Sequence, residues 1–417
     1  MNSAIAATIG LVLAIILIIR KVSPVYALIA GAVVGGLCSG WGLERTVTEM
    51  ISGVRDITPA TVRIIAAGVL TGMLVKTGAA ARISLTIVDR LGAKRAYLAL
   101  AASALALTAM GVFIDVAVIT IAPIALMVGN RLGLSRGKLL FAMIAGGKCG
   151  NIISPNPNTI IAAENYGAPL PSVMAAGILP AILGLAVCML LVLPLMPEGE
   201  SVKDGGQEID SSSLPSFLAS IAGPVVAIVM LALRPLFGIV IDPMIALPVG
   251  GLVGILATGS ARRTGECMSY GLGKMSGIAV LLIGTGTIAG IIKASAIKDV
   301  LIGLMAGWSG GALLMAPLSG TLMCAAAAST TAGATIASAS FAQTVLAAGV
   351  SSIWAAAMTN AGATVLDHLP HGSFFHATGG SVGMDVRERL RLIPYETLAG
   401  LALTVFSVLS CLIFGQC

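Results

Sequence analysis

The sequence predicts an all-α, polytopic membrane protein, and three observations predict it: scarce charge, long apolar runs, and polar breaks that recur at matching places. Of 417 residues, 57% are apolar, only 10% are Asp, Glu, Lys or Arg, and 51 are glycine. Mean hydropathy is +1.01. A soluble domain carries about 25% charged residues, so this chain cannot dress a water-facing surface, and nucleic-acid binding is excluded with it. The net charge of +6 reports topology, because cytoplasmic loops hold the excess of Lys and Arg. Cys38, Cys149, Cys188, Cys267, Cys324, Cys411 and Cys417 lie singly, without C-x-x-C spacing, and read as small packing residues. The run opening at Ile5 lacks the basic leader and cleavage site of a signal peptide, so the first helix is expected to persist.

A crossing needs about 20 apolar residues. Full crossings are expected near 3–19, 24–42, 62–81, 139–163 and 173–195, then near 216–235, 243–259, 276–292, 351–380 and 392–415. Two further apolar stretches, 96–129 and 299–346, are broken in the middle and read as re-entrant hairpins that enter and leave on one side. Charge supports that reading. The basic segments 82–95 and 130–138 are both cytoplasmic only if 96–129 returns to its starting side. The same walk places Lys203, 260–275 and 384–391 inside, leaves Arg45, Arg55, Arg63, Arg234, Lys293 and Lys298 outside, and puts both termini outside. Lys76, near a span end, is expected to snorkel.

The polar stretch 196–215 is the one linker, expected to be cytoplasmic, and it divides the chain into 1–195 and 216–417. SPVYALIAGAVVGGL from Ser23 aligns with DPMIALPVGGLVGIL from Asp242. The register then pairs Gly53 with Gly271, Gly68 with Gly286 and Gly72 with Gly290. Each half holds an odd number of crossings, five, so two inverted-topology repeats are expected, each with five transmembrane helices and one hairpin. Inverted repeats with broken helices at the midplane are the architecture of secondary transporters.

Irregular backbone is tolerated at membrane depth only where protein or water satisfies it, so the breaks mark the candidate site. Asp115 lies within the first hairpin, 96–129. The broken span 139–163 carries Lys148, Asn151, Ser154, Asn156, Asn158 and Thr159 around Pro155 and Pro157. The second hairpin, 299–346, carries Ser329, Thr330, Thr331 and Thr335; the broken span 351–380 carries Asn360, Thr364, Asp367, His368, His371 and Ser373. Hydroxyls, amides and free helix N-termini suit a hydroxylated anion. An intramembrane charge costs at least about 2.5–3.5 kcal/mol, so Asp115, Asp367 and Lys148 need a partner or a task. Asp115, Asp367 and His368 are the expected proton-coupling groups; Lys148 either meets a substrate carboxylate or pairs structurally. His368, His371 and His376 with Asp367 lack the second cluster a metal site needs. No metal or cofactor is expected.

At these residues the chain resembles the gluconate permease family, GntP-type transporters of the ion transporter superfamily, over most of its length. The resemblance rests on VFIDVAVITIAPI, on SPNPNTIIAA where the family tends to show a P-H-P-G-P-like run, and on GATVLDHLPHGSFF, similar to the family's G-x-x-V-L-S-H-V-N-D-S-G-F. Asp115, Pro155, Pro157, Gly362, Val365, Leu366, His368 and Phe374 match; Asn156, Asn158, Thr159, Asp367, Pro370 and His371 depart. The resemblance implies a proton-coupled symporter of small hydroxylated carboxylates such as gluconate or glycerate. It also implies a homodimer in the cytoplasmic membrane that works as an elevator, and no enzyme. The rivals are a sodium-coupled di- or tricarboxylate transporter of the same superfamily, an intramembrane hydrolase using Asp367, His368 and His371, and a channel.

Overall fold

Helices account for the regular structure, and proline and small polar residues set their ends. The computed structural model describes residues 3–202, 211–296 and 311–415. Lys203, Lys298, Cys417 and parts of the expected linker and second hairpin, 203–210 and 299–310, lie outside the described residues. The first half comprises α1 (Ser3–Ile19), α2 (Pro24–Cys38), α3 (Leu43–Lys76), α4 (Ala79–Leu91), α5 (Ala96–Ala109), α6 (Ile114–Leu132), α7 (Arg136–Asn151), α8 (Pro157–Asn165), α9 (Leu170–Ala176) and α10 (Ile178–Val187). The second comprises α11 (Phe217–Phe237), α12 (Pro243–Ala257), α13 (Thr264–Ala294), α14 (Gly311–Ala327), α15 (Thr330–Ala347), α16 (Ser352–Gly362), α17 (Ser373–Ser381), α18 (Val386–Leu390) and α19 (Ile393–Phe414). No β-strand occurs among the described residues; an isolated bridge joins Ser135 to Ser201. Pro24, Pro157 and Pro243 open their helices, where a missing N–H costs nothing.

Six helical stretches among the described residues are long and apolar enough to cross a membrane: Leu43–Lys76, Ile114–Leu132, Leu170–Leu195, Phe217–Phe237, Ala261–Ala294 and Val386–Phe414. Three of them differ from the expected spans; one, Ile114–Leu132, was expected as a limb of the re-entrant hairpin 96–129 and is long enough to cross. α3 begins at Leu43 rather than near 62 and passes through Pro59, and α13 begins at Thr264 rather than near 276. Hydropathy truncates both, because their first turns carry charge on exposed faces. The basic segment 82–95 is likewise largely helical, with the buried positions of α4 on one side.

Where breaks were expected, breaks occur. α5 and α6 are separated at 110–113, α7 and α8 at 152–156, α14 and α15 at 328–329, and α16 and α17 at 363–372. α5 and α7 run parallel in close contact: Gly146 lies against Ala101, and Gly150 against Leu105 and Thr108. Their N-termini therefore share one end of the bundle, and α6 returns between them. In the second half, Thr359 Oγ1 donates to the Ala316 carbonyl at 3.3 Å and Thr321 Oγ1 to the Gly362 carbonyl at 3.1 Å. α14 and α16 repeat the parallel arrangement.

α3 and α13 cross antiparallel through glycine. A Cβ on Gly53 would lie 2.1 Å from the Gly286 carbonyl oxygen, and one on Gly271 would lie 2.0 Å from that of Gly68. Small residues let helix backbones approach where lipid offers no hydrophobic drive between helices. α7 is buried around its whole circumference from Gly137 to Asn151, as befits a helix at the centre of a bundle. Ser135 caps it, accepting from the Lys138 N–H at 3.5 Å.

Candidate functional site

Each of the four breaks is followed by a helix whose N-terminus opens onto one cavity of about 300 Å³. Phe113, Ile114 and Asp115 line it from the start of α6, Asn158 from α8, Ser329, Thr330 and Thr331 from α15, and Ser373 and Phe374 from α17. Asn151 comes from the C-terminal end of α7, Ala328 and Asp367 from the breaks themselves, and Lys274 and Ile278 from α13. A helix leaves its first N–H groups without intrahelical partners and carries about half a positive charge at that end. Asn156 and Ser329 cap two of the four, accepting from the Thr159 and Ala332 N–H groups at 3.1 and 3.3 Å. α6 and α17 have no side-chain cap. The cavity is thus ringed by donors and positive helix ends, a setting for a small anion.

Ala328 turns the chain between α14 and α15 with φ +45°. A non-glycine residue in that region is held there by its surroundings. A Cβ on Gly372 would sit 2.4 Å from the Ala328 carbonyl oxygen, so the two breaks of the second half touch at the cavity wall.

Behind the lining, an amide and hydroxyl network ties the halves together. Asn158 Nδ2 donates to Asn360 Oδ1 at 2.7 Å, Asn360 Nδ2 to Thr159 Oγ1 at 3.0 Å, and Thr159 Oγ1 to Asn156 Oδ1 at 3.1 Å. Asn156 Nδ2 in turn donates to the side chain and carbonyl of Asn151. Every one of these side chains is buried. Such a network specifies one geometry when each member is satisfied.

A second network is ionic. Asp367 lines the cavity, and Lys148 Nζ lies 2.7 Å from its Oδ1, with Thr330 Oγ1 donating to its Oδ2 at 2.7 Å. Lys148 Nζ also donates to the carbonyls of Thr364 at 2.6 Å and Glu396 at 3.2 Å, and lies 3.1 Å from His368 Nδ1. His368 Nδ1 is 3.1 Å from Asp367 Oδ1, and its Nε2 is 3.1 Å from both the Ile393 carbonyl and Thr397 Oγ1. Glu396 pairs with Arg389, whose guanidinium stands over the Phe375 ring at 5.0 Å. Arg389, expected in a cytoplasmic loop, is buried because Glu396 supplies its counter-charge.

Of the residues singled out in the sequence, Asp115, Asn151, Asn158, Ser329, Thr330, Thr331 and Asp367 line the cavity. Asn156, Thr159 and Asn360 form the layer behind it, with Lys148 and His368 in the ionic cluster. Lys148 is engaged on every side and does not line the cavity. Ser154 and Thr364 hydroxyls donate locally, to the Asn151 and Ala361 carbonyls; Thr335 lies deeper, its hydroxyl without a partner. His371 and His376 turn to the Ala326 and Pro370 carbonyls. No group of three or more His, Cys, Asp or Glu among the described residues could hold a metal. Ser373, singled out at the fourth break, lines the cavity too, whereas Lys274 and Phe374 do so without having been expected to. Lys274 reads as a loop residue from hydropathy, which falls off there, but it lies within α13.

The family model of the GntP family permeases matches residues 3–414. An uncharacterized transporter of Haemophilus influenzae is 52% identical over 99% of this chain and 98% of its own length. A gluconate permease of Pseudomonas aeruginosa is 26% identical over 89% of this chain and 88% of its own. Among solved structures, the Alcanivorax borkumensis YdaH transporter matches with a TM-score of 0.66 at 17% identity, covering 90% of each chain, a likeness of fold.

Proposed function

The chain belongs to the GntP permease family, a multi-pass transporter of the cytoplasmic membrane and not an enzyme, and from that premise we propose that it is a proton-coupled symporter of a small hydroxylated carboxylate, gluconate or a close analogue. The observation that carries this reading is the convergence of four helix N-termini, with hydroxyls and amides between them, on one cavity. The uncapped ends of α6 and α17, with Lys274, face the carboxylate; Asn158, Ser329, Thr330 and Thr331 exchange hydrogen bonds with the hydroxyls. The relative named as a gluconate permease supports the substrate class.

Coupling falls to the carboxylates. Asp115 stands at the cavity without an ion pair among the described residues, so protonation there removes a charge that repels the solute. Asp367 is committed to Lys148, and His368 lies close enough to exchange partners with both. A proton on His368 Nδ1 donates to Asp367 and displaces Lys148.

The inverted repeat belongs to the same reading. Gly53 meets Gly286 and Gly290, while its sequence counterpart Gly271 meets Gly68, and Gly72 meets Gly271. Exchanging each residue for its counterpart reproduces the contact set, as a two-fold axis requires. The hairpins and broken helices then form the moving body of an elevator, and α1–α3 with α11–α13 the fixed one, in a homodimer.

Uptake of labelled gluconate into proteoliposomes tests the proposal. A pH gradient, acid outside, drives accumulation; accumulation that ignores it and follows sodium overturns proton coupling and favours the sodium reading. Equal binding of gluconate and its amide overturns the carboxylate assignment.

A further inference from the structure

A second polar cavity, of about 410 Å³, lies at the other end of the helices that frame the first. α8 contributes Asn158 to the first and Glu164 and Asn165 to the second; α13 contributes Ile278 and Lys293; α15 contributes Thr331 and Ser338. At 1.5 Å per residue, the eleven residues from Ile278 to Ala289 span ~16 Å along α13. The two cavities are therefore displaced from each other along the axis of α13.

The face of α15 between them is polar. Thr331, Thr335 and Ser338 recur at helical spacing, the first at one cavity and the last at the other. Thr335 is fully buried and its hydroxyl has no partner; Ser340, 5% exposed and lining the second cavity, has none either. Buried hydroxyls are almost always hydrogen-bonded, so the bare one of Ser340, a residue of this cavity's wall, calls for a ligand hydroxyl or water. Asn165 Nδ2 donates to Ser338 Oγ at 2.9 Å in the same wall.

The charges define the ligand further. Glu164 is held by Arg63. Lys293 pairs with Asp56 at 2.7 Å, but both side chains are more than half exposed, and exposed pairs are held weakly. Lys293 is thus a cation that an arriving carboxylate can take from Asp56.

We propose that this second cavity binds the same hydroxylated carboxylate at the opposite membrane face, Lys293 meeting the carboxylate and Ser340, Asn165 and Gln343 the hydroxyls. The proposal rests on the substrate reading above. The polar face of α15, through Thr335, links the two stations.

Side-specific labelling tests it, in proteoliposomes of a variant whose native cysteines are replaced, carrying Ser340→Cys, Gln343→Cys or Thr331→Cys. The probe is a membrane-impermeant methanethiosulfonate, and the ligand is gluconate, with glucitol as the uncharged control. Gln343 is exposed, so its variant folds even where Ser340→Cys does not. The expected result is that positions 340 and 343 react from the face opposite to that labelling position 331. Gluconate at ten times its half-protecting concentration slows each about tenfold, and glucitol does not. Adding Lys293→Gln abolishes protection at 343 and leaves it at 331. Reaction of all three from one face, or gluconate protection at 331 alone, overturns the second site. Protection at neither overturns the substrate reading and the second site with it.

Discussion

Asp115 and Lys148 show how the same cost, a charge at membrane depth, is met in two ways. Asp115 stands at the cavity at the start of α6, where no ion pair holds it among the described residues. Asp115→Asn is expected to abolish proton-driven accumulation while gluconate still binds, read as lost uptake with a retained titration heat. Lys148 and Asp367 are both fully enclosed. Removing one partner of a buried pair typically costs about 3–5 kcal/mol, so Lys148→Met should lower the melting temperature of the detergent-solubilised protein sharply. Lys148→Met with Asp367→Leu should recover part of it; a double variant no better than the single would place the loss elsewhere. Both residues stand out in an apolar sequence. Their contact does not, because they are far apart in the chain and belong to different halves.

At the scale of elements, the glycines of α3 and α13 separate residues that are merely small from residues that must be. At Gly53 and Gly271 a methyl group would meet backbone within 2.1 Å, whereas at Gly273, two residues on, it would meet nothing within 4 Å. Gly53→Ala and Gly271→Ala should each destabilise by about 1–3 kcal/mol, and Gly273→Ala should be neutral or slightly stabilising; thermal melts of the three compare them directly. The repeat register was legible because these glycines recur. Which of them touch was not, because helix crossing is decided by pairing. Asp242, in the loop before α12, caps that helix at the Met244 N–H at 2.8 Å. Its hydrogen bonds from the Arg63 guanidinium hold its carboxyl below the usual carboxylate range. A depressed carboxylate gives stability that is complete above its unfolded value of about 4 and is lost as pH falls through the lower folded value. Melting curves between neutral and acid pH should show Asp242→Asn losing less on acidification than the parent.

For the whole molecule, orientation follows from the parallel packing of α5 and α7. Arg90→Cys and Leu132→Cys, in a cysteine-free background, should label from the same membrane face; labelling from opposite faces would end both the hairpin and the inverted repeat. The sequence by itself determined the membrane class, the break positions and the polar types at each break, because hydropathy and proline act locally. It also placed Asn158, Thr330 and Thr331 in the candidate site, since hydroxyls and amides are costly in an apolar run unless something uses them. Only the tertiary structure decided that four helix ends meet in one cavity, that Lys148 lies behind it and Lys274 beside it, and that Arg389 is buried. Those outcomes depend on which helices pack together. A charge read from sequence has a cost but no address, and its address is set by the counter-charge that the fold brings to it.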